Sequence, residues 1–440
     1  MKKILIVSQY IAPVRAIGSV RWTKIAKYIK YKHDVEISVL TNEKDYSKNG
    51  LFHYEIDNLL KDEMVLFDDY HTFSTGSKQE TLIRIKNRIK REQRESVQPI
   101  VNVGASGSKR FAEPTMRHSI NSLIQDIGTK EIVKDGYNYF KKKNKEYDVI
   151  ISSYGPIWPH LLAEKIKNHY PNTLWVADFR DIYAGNPYET EKEFKRHRSF
   201  VGKHLRNANI ITKVVEGLEL FEKPEQNVVT LSNGFDWAER IIPAPPTKFS
   251  FVYTGSFYPK ETNLLLIFQA IKELIEEKKI LHEDIEITYA GRNGNEFADQ
   301  ADEMGLKQYV IDYGSVSREV AINLQKSAAV LLQSYTYSAS FKSLWSGKMF
   351  EYMMAEKPIV FSVICDTSSE QYKLMPKLGG IAVESCNTKE TFEPMKRYIL
   401  EKYQEWKHTG NVSISRDDEY VKSFSYENIA DEFWNLISED

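Results

Sequence analysis

Cysteine is nearly absent: Cys365 and Cys386 are the only two in 440 residues. Two cysteines make no disulfide framework, and neither stands at metal-ligand spacing. A disulfide-stapled mini-fold and a cysteine-ligated zinc site are therefore excluded, and a reducing cytoplasm is the natural reading. Long apolar runs are missing too. None approaches the roughly 18 residues that cross a bilayer. The four apolar residues Ile4–Val7, ended by Ser8 and Gln9, are too few for the core of a secretory leader. Nor is there an excess of either charge. The 60 basic and 61 acidic residues leave a net −1, so nothing draws the whole chain toward nucleic acid. The histidines show no metal spacing, and no serine–histidine–acid order suggests a triad.

The chain does have enough apolar and aromatic residues, 42% and 12%, to build real cores. Its length argues for two or three domains. Short apolar runs alternate with helical patterns. Ile4–Val7 reads as a strand, "GSVRWTKIAKYIKYK" as a helix with Val20, Ile25, Tyr28 and Ile29 at helical spacing, and "DVEISVLT" as a second strand. "YDVIISSY", "TLWVADF", "ANIITKVV" and "NVVTLSN" continue as strands, with "PHLLAEKIKNHY" and "EGLELFEK" as intervening helices. A second series of the same kind runs from "FSFVYTG" to "KPIVF". The fold class is α/β: two tandem Rossmann-like, doubly wound parallel-sheet domains.

The expected boundaries are 1–240 for the first domain, 241–248 for a linker marked by Pro243, Pro245 and Pro246, and 249–415 for the second domain. Residues 416–440 read as a terminal helix returning to the first domain, with Tyr426, Ile429, Phe433 and Leu436 at helical spacing. Residues 75–135 break the alternation and read as an irregular basic insertion. Within it, 82–94 carries six basic residues and one acid, with Leu82, Ile85 and Ile89 on one helical side. Such a helix suits either an anionic membrane surface or plain solvent.

"SGK" at Ser346–Lys348 invites a phosphate-loop reading, which the spacing rules out. Position 342 is Lys where a glycine is required, and Met349 supplies no hydroxyl for magnesium. "VGASGS" at 102–107 lacks the strand–helix context of a dinucleotide fingerprint.

Five stretches, in order, resemble a family 4 glycosyltransferase of the two-domain GT-B architecture. They are Ser8–Pro13 with Gly18 and Arg21 beyond it, "WVADFRDIY" (175–183, like "ADFRDPW" of a bacterial branch), "LSNGFD" (231–236), "FVYTGSFYPK" (251–260) and "SGKMFEYMMAEKPIV" (like "GKLFEYLAAGKPVL"). The resemblance implies a retaining enzyme that takes a sugar from a UDP- or GDP-sugar, bound by the second domain. The acceptor, on the first domain, would be a growing cell-surface glycan or a lipid-linked oligosaccharide. A cytoplasmic protein able to lie at the inner face of a membrane through 82–94 fits that role. No metal or other cofactor is required by this reading.

The resemblance also assigns residues. Glu351 is expected on the donor ribose, since a carboxylate accepts from two vicinal hydroxyls. Lys348 and Met349 open the same helix near the diphosphate. Ser256 and Lys260 lie in the loop that grips the diphosphate, Arg292 at another strand end, and Val316 beside the base. Gly18 and Ser19 begin a helix where backbone N–H groups approach the diphosphate. In the first domain, His160, Asp178, Arg180 and Asp181 are the catalytic candidates, with one acid and Arg180 bracing the loop and the other acid facing the cleft. Two family positions differ here. Ser343 stands where an earlier acid associated with the donor sugar is often found, and Ser153 where a histidine is often found. Two further readings stay open: a GT-B sugar-nucleotide epimerase, and a non-catalytic GT-B subunit that binds glycan or scaffolds a partner.

Overall fold

A computed structural model describes residues 1–43, 56–76, 78, 81, 116–180, 191–214, 227–239, 245–258, 261–337 and 347–438. The basic stretch 82–94, Asp181, Lys260 and Ser343 lie outside them, as do the expected helix "EGLELFEK" and part of the linker. The chain forms two compact units, Met1–Ser232 with Ala430–Asp440, and Asn233–Ile429.

The first unit is built on a parallel seven-stranded sheet of order β3-β2-β1-β4-β5-β6-β7. The strands are β1 (Lys2–Val7), β2 (Val35–Asn42), β3 (Asp69–Phe73), β4 (Val149–Ser153), β5 (Leu174–Phe179), β6 (Ile210–Lys213) and β7 (Asn227–Thr230). Between them run α1 (Ile17–Lys32), α2 (Asn58–Lys61), α3 (Met116–Lys143), α4 (Trp158–His169) and α5 (Glu191–His204). Central strands covered on both faces have no polar side. This is why Ile4–Val7 and Val149–Ile151 are continuous apolar runs, fully buried. One face packs Leu5, Val7 and Ile150 against Trp158, Leu162, Trp175 and Phe179.

Two features differ from the expectation. β3 is an additional edge strand, in register with β2 from Ser38↔Asp69 to Asn42↔Phe73. Its "DYHTF" is only partly buried, so it lacks the apolar signature of the inner strands. Residues 116–135, expected as irregular, form the first part of the 28-residue α3. Its buried stripe runs through Ile124, Gly128, Ile132, Gly136 and Phe140. Two of these five positions are glycine, which hides the helical period. At Gly136 a Cβ would lie 2.8 Å from Phe73 and 2.9 Å from Leu162. Only glycine lets α3 seat this closely on β3 and α4.

The second unit is a parallel six-stranded sheet of order β10-β9-β8-β11-β12-β13. Its strands are β8 (Phe249–Thr254), β9 (Ile285–Ala290), β10 (Val310–Asp312), β11 (Val330–Tyr337), β12 (Ile359–Cys365) and β13 (Gly380–Glu384). The helices are α6 (Leu265–Glu276), α7 (Gly294–Glu303), α8 (Arg318–Lys326), α9 (Gly347–Ala355), α10 (Glu370–Leu374), α11 (Thr388–Thr409), α12 (Asp418–Lys422) and α13 (Tyr426–Ser438). α6 buries Ile267, Phe268, Ala270, Ile271 and Leu274 on one face, beside Phe249, Phe251 and Ile287. Cys365 and Cys386, read from the sequence as pointing to a reducing compartment, sit at the ends of neighbouring strands with Cα atoms 5.4 Å apart, joined as a disulfide. Sequence spacing could not show this, because the parallel pairing of β12 and β13 brings the two together.

The last residues of α13 belong to the first unit. The Phe433 ring meets Trp22 edge-on at 5.0 Å, and Trp434 stacks on His33 at 3.9 Å. Lys32 pairs with Asp431 at 2.8 Å, and Lys2 donates to the carbonyl of Ile437.

Candidate functional site

In each sheet the strand order reverses beside the first strand, between β1 and β4 and between β8 and β11. In open parallel sheets, ligands bind beyond the carboxyl ends of the strands at such switch points.

In the second unit three turns meet there. β8 leads into Gly255, whose φ of +103° would strain any side chain. A Cβ on Gly291, after β9, would collide with the Gly255 carbonyl. The Gly291 N–H donates to Gly314 O, after β10, at 2.8 Å. The Arg292 carbonyl accepts from the Phe257 N–H at 3.0 Å, which ties the first two turns again. The Arg292 side chain is exposed, with no ion pair among the described residues. Ser256 is half-buried, and its carbonyl accepts from the Tyr253 hydroxyl at 3.3 Å.

Lys348, the second residue of α9, extends to this junction. Its Nζ donates to the Tyr253 hydroxyl at 2.6 Å and lies 3.9 Å from the ring centroid. Its Cε would touch a Cβ placed on Gly255, at 3.4 Å. Burial pushes its pKa down from 10.5 to about 7, and the nearby Glu351 charge opposes this only in part. An ammonium stripped of water beside glycine turns and a helix N-terminus is a site that gains from an anion. Met349 is fully buried, so its side chain packs in the core and offers a ligand nothing.

Glu351 lies one turn further along α9. Its Oε1 accepts from Arg318 Nε at 3.1 Å and its Oε2 from Gln325 Nε2 at 3.0 Å, both on α8. Val316 is half-buried just before α8, which Ser317 caps through the Val320 N–H. The sequence carried no signal for Arg318, Gln325 or Tyr253. They matter through spatial neighbours 26 to 95 residues away.

In the first unit, Asp178 is the last residue but one of β5 and is fully buried. Arg21 donates to it through Nε at 3.2 Å and Nη2 at 2.9 Å, Trp22 Nε1 at 2.7 Å, Ser153 Oγ at 3.1 Å and Thr212 Oγ1 at 2.8 Å. Burial alone would raise its pKa; the Arg21 charge and these donors outweigh it and hold the carboxyl below its ordinary range. Arg21 also donates to the carbonyls of Leu231 and Ser232, at 2.8 and 2.5 Å. Asp178 therefore braces α1, β4 and β6 around Arg21, and the catalytic expectation for it gives way to this structural role. Ser153, the family's histidine position, is one of the braces.

His160 is likewise inside. Its Nδ1 lies 2.7 Å from Ser152 Oγ, and its Nε2 has no partner among the described residues. Burial drops its pKa to about 3, with Asp178 opposing weakly, so it stays neutral. Phe179 covers it at 4.7 Å between ring centroids. A histidine that neither meets solvent nor takes a proton is a poor acid–base catalyst.

Arg180 is placed differently. Its guanidinium lies over the Tyr10 ring at 5.1 Å and donates to Gly155 O at 3.1 Å. A Cβ on either Gly18 or Gly155 would overlap it. Beside it α1 begins without a side-chain cap, and Ser19 Oγ is buried without a partner among the described residues. Gly18, Ser19 and Arg180, named separately from the sequence, thus share one corner of the unit. Among the described residues, no group of three His, Cys, Asp or Glu side chains is placed to hold a metal ion.

Residues 248–398 match the family model for glycosyl transferases group 1. No curated protein matches the chain significantly. Among solved structures, the sucrose-phosphate synthase of Thermosynechococcus elongatus matches at a TM-score of 0.61 and 12% identity, over 100% of this chain and 99% of its own. The E. coli trehalose-6-phosphate structure bound with UDP-2-fluoro glucose matches at 0.59 and 12%, over 99% of each chain. A mutant of S. aureus TarM in complex with Fondaparinux, alpha-GlcNAc-glycerol and UDP matches at 0.53 and 12%, over 100% of each. These likenesses carry the fold. The second unit thus carries the match to glycosyl transferases group 1, and the chain as a whole has the two-sheet GT-B fold of these structures.

Proposed function

We propose that the protein is a retaining glycosyltransferase that moves a sugar from a UDP- or GDP-sugar to a cell-surface glycan or lipid-linked acceptor. The observation that carries the donor half is the junction at the strand ends of the second unit: Lys348 beside the Gly255 turn, with Glu351 on the next turn of the same helix. The Lys348 ammonium and the first N–H groups of α9 bear on the diphosphate, where leaving-group charge develops. Glu351 accepts from the ribose hydroxyls. The UDP ligands of the E. coli and S. aureus neighbours support a nucleotide-sugar donor.

Retention of anomeric configuration follows from the family resemblance. The acceptor hydroxyl attacks the face from which the diphosphate departs and gives its proton to the leaving phosphate oxygen, and no enzyme carboxylate is needed as nucleophile. Arg180 serves the acceptor side, and the backbone N–H groups of Gly18 and Ser19, at the start of α1, are read as diphosphate contacts.

Incubation with a panel of UDP- and GDP-sugars tests this. The expected result is slow release of nucleoside diphosphate from one donor, reduced at least tenfold by Glu351→Ala, as befits loss of hydrogen bonds to a charged group. An isomerised donor points instead to an epimerase. Absence of nucleotide binding in the wild type, unchanged by Glu351→Ala, overturns both enzyme readings.

A further inference from the structure

We propose that Arg318, itself held by Glu239, is a positioning residue that orients Glu351 for the donor ribose; this rests on the reading of Glu351 given above. Arg318 is shared by two carboxylates. Its Nε serves Glu351 at 3.1 Å, while its Nη1 and Nη2 grip both oxygens of Glu239 at 3.1 and 2.6 Å. The side chains are largely shielded: Glu239 is 7% exposed, Arg318 15% and Glu351 24%. Such a bidentate pair fixes the guanidinium plane, and with it the direction of the remaining Nε–H.

Gln325 completes the grip from the other side. It is fully buried, and its Nε2 donates to Glu351 Oε2 at 3.0 Å and to Thr254 Oγ1, at the end of β8, at 2.9 Å. The amide nitrogen must face the carboxylate, because a carboxylate only accepts. Each Glu351 oxygen thus spends one acceptor position on a fixed donor and keeps another. That leaves two acceptor positions in a set plane, the pattern that two vicinal hydroxyls require. Without Arg318 the flexible glutamate would have to be ordered at each binding event. Glu239 lies at the end of the described segment 227–239, next to the expected linker, so the ribose acid is tied to that part of the chain through one guanidinium.

Calorimetric titration of the full chain with UDP and GDP, each against its 2′,3′-dideoxy counterpart, tests the proposal. The wild type should prefer the ribonucleotide at least tenfold, and Glu351→Gln should abolish the preference. Arg318→Met should cut the preference to about threefold or less, leaving affinity for the dideoxy form near the wild-type value. Arg318→Met strands Glu239, so Glu239→Gln is the gentler second variant. It should lower the preference about threefold and add nothing in the double variant, because both act through one guanidinium. A preference unchanged in both variants, while Glu351→Gln has lost it, overturns the positioning role alone. A preference that survives Glu351→Gln overturns the reading of Glu351, and this role with it.

Discussion

Lys348 is the residue whose environment most directly predicts behaviour. Its folded pKa of about 7 lies below the ordinary 10.5, so the empty protein holds it about half-protonated at neutral pH. A bound diphosphate favours the charged form and draws a proton in. Nucleoside diphosphate binding should take up protons and weaken as pH rises through about 7. Calorimetry in buffers of different ionisation enthalpy checks this, and Lys348→Met should abolish the uptake. The stability sign is opposite to that of a salt-bridged lysine. Between about 7 and 10.5 the unfolded chain holds more protons than the folded one, so this group's contribution to stability rises with pH across that window and its full cost stands below it. Asp178 illustrates the limit of motif reading. "ADFRD" looks like a polar surface, yet its first acid lies in the core with Arg21, an ion pair of 1% and 0% side-chain exposure. Losing one partner of such a pair leaves the other charge stranded.

At the scale of elements, the outcome depends on where a helix has room. α3 meets β3 and α4 through Gly136, where a Cβ would come within 3 Å of both Phe73 and Leu162. Gly136→Ala should therefore destabilise by about 1–3 kcal/mol despite its better helix propensity. Urea unfolding of the two proteins measures it, and a stabilised variant would mean that α3 shifts to accommodate the methyl. The strands were legible because parallel strands buried on both faces are written as unbroken apolar runs. β3 and the first part of α3 were not. The first is a half-buried edge, and the second interrupts its own stripe with glycine.

At the scale of the whole chain, the final residues belong to the first unit although they follow the second in sequence. Ala430, Phe433 and Ile437 are fully buried, with Phe433 against Trp22. Deleting 430–440 should destabilise the first unit by roughly 3–6 kcal/mol, the worth of two large buried side chains. Denaturant unfolding followed by tryptophan fluorescence reads this directly, and an unchanged midpoint would show that the segment contributes no stability to that unit.

The sequence by itself determined the two-sheet architecture and the order of its elements, because apolar periodicity depends only on near neighbours in the chain. It also marked Lys348 and Glu351, because the resemblance is local. The tertiary structure alone decided which charges stand at the strand ends and which are locked inside. Asp178 is spent on a residue 157 positions away. Lys348 is set by a tyrosine 95 positions away, and Glu351 by an arginine that reaches back 79 positions to Glu239. Burial and hydrogen-bond partners are properties of the folded packing, and no spacing along the chain encodes them.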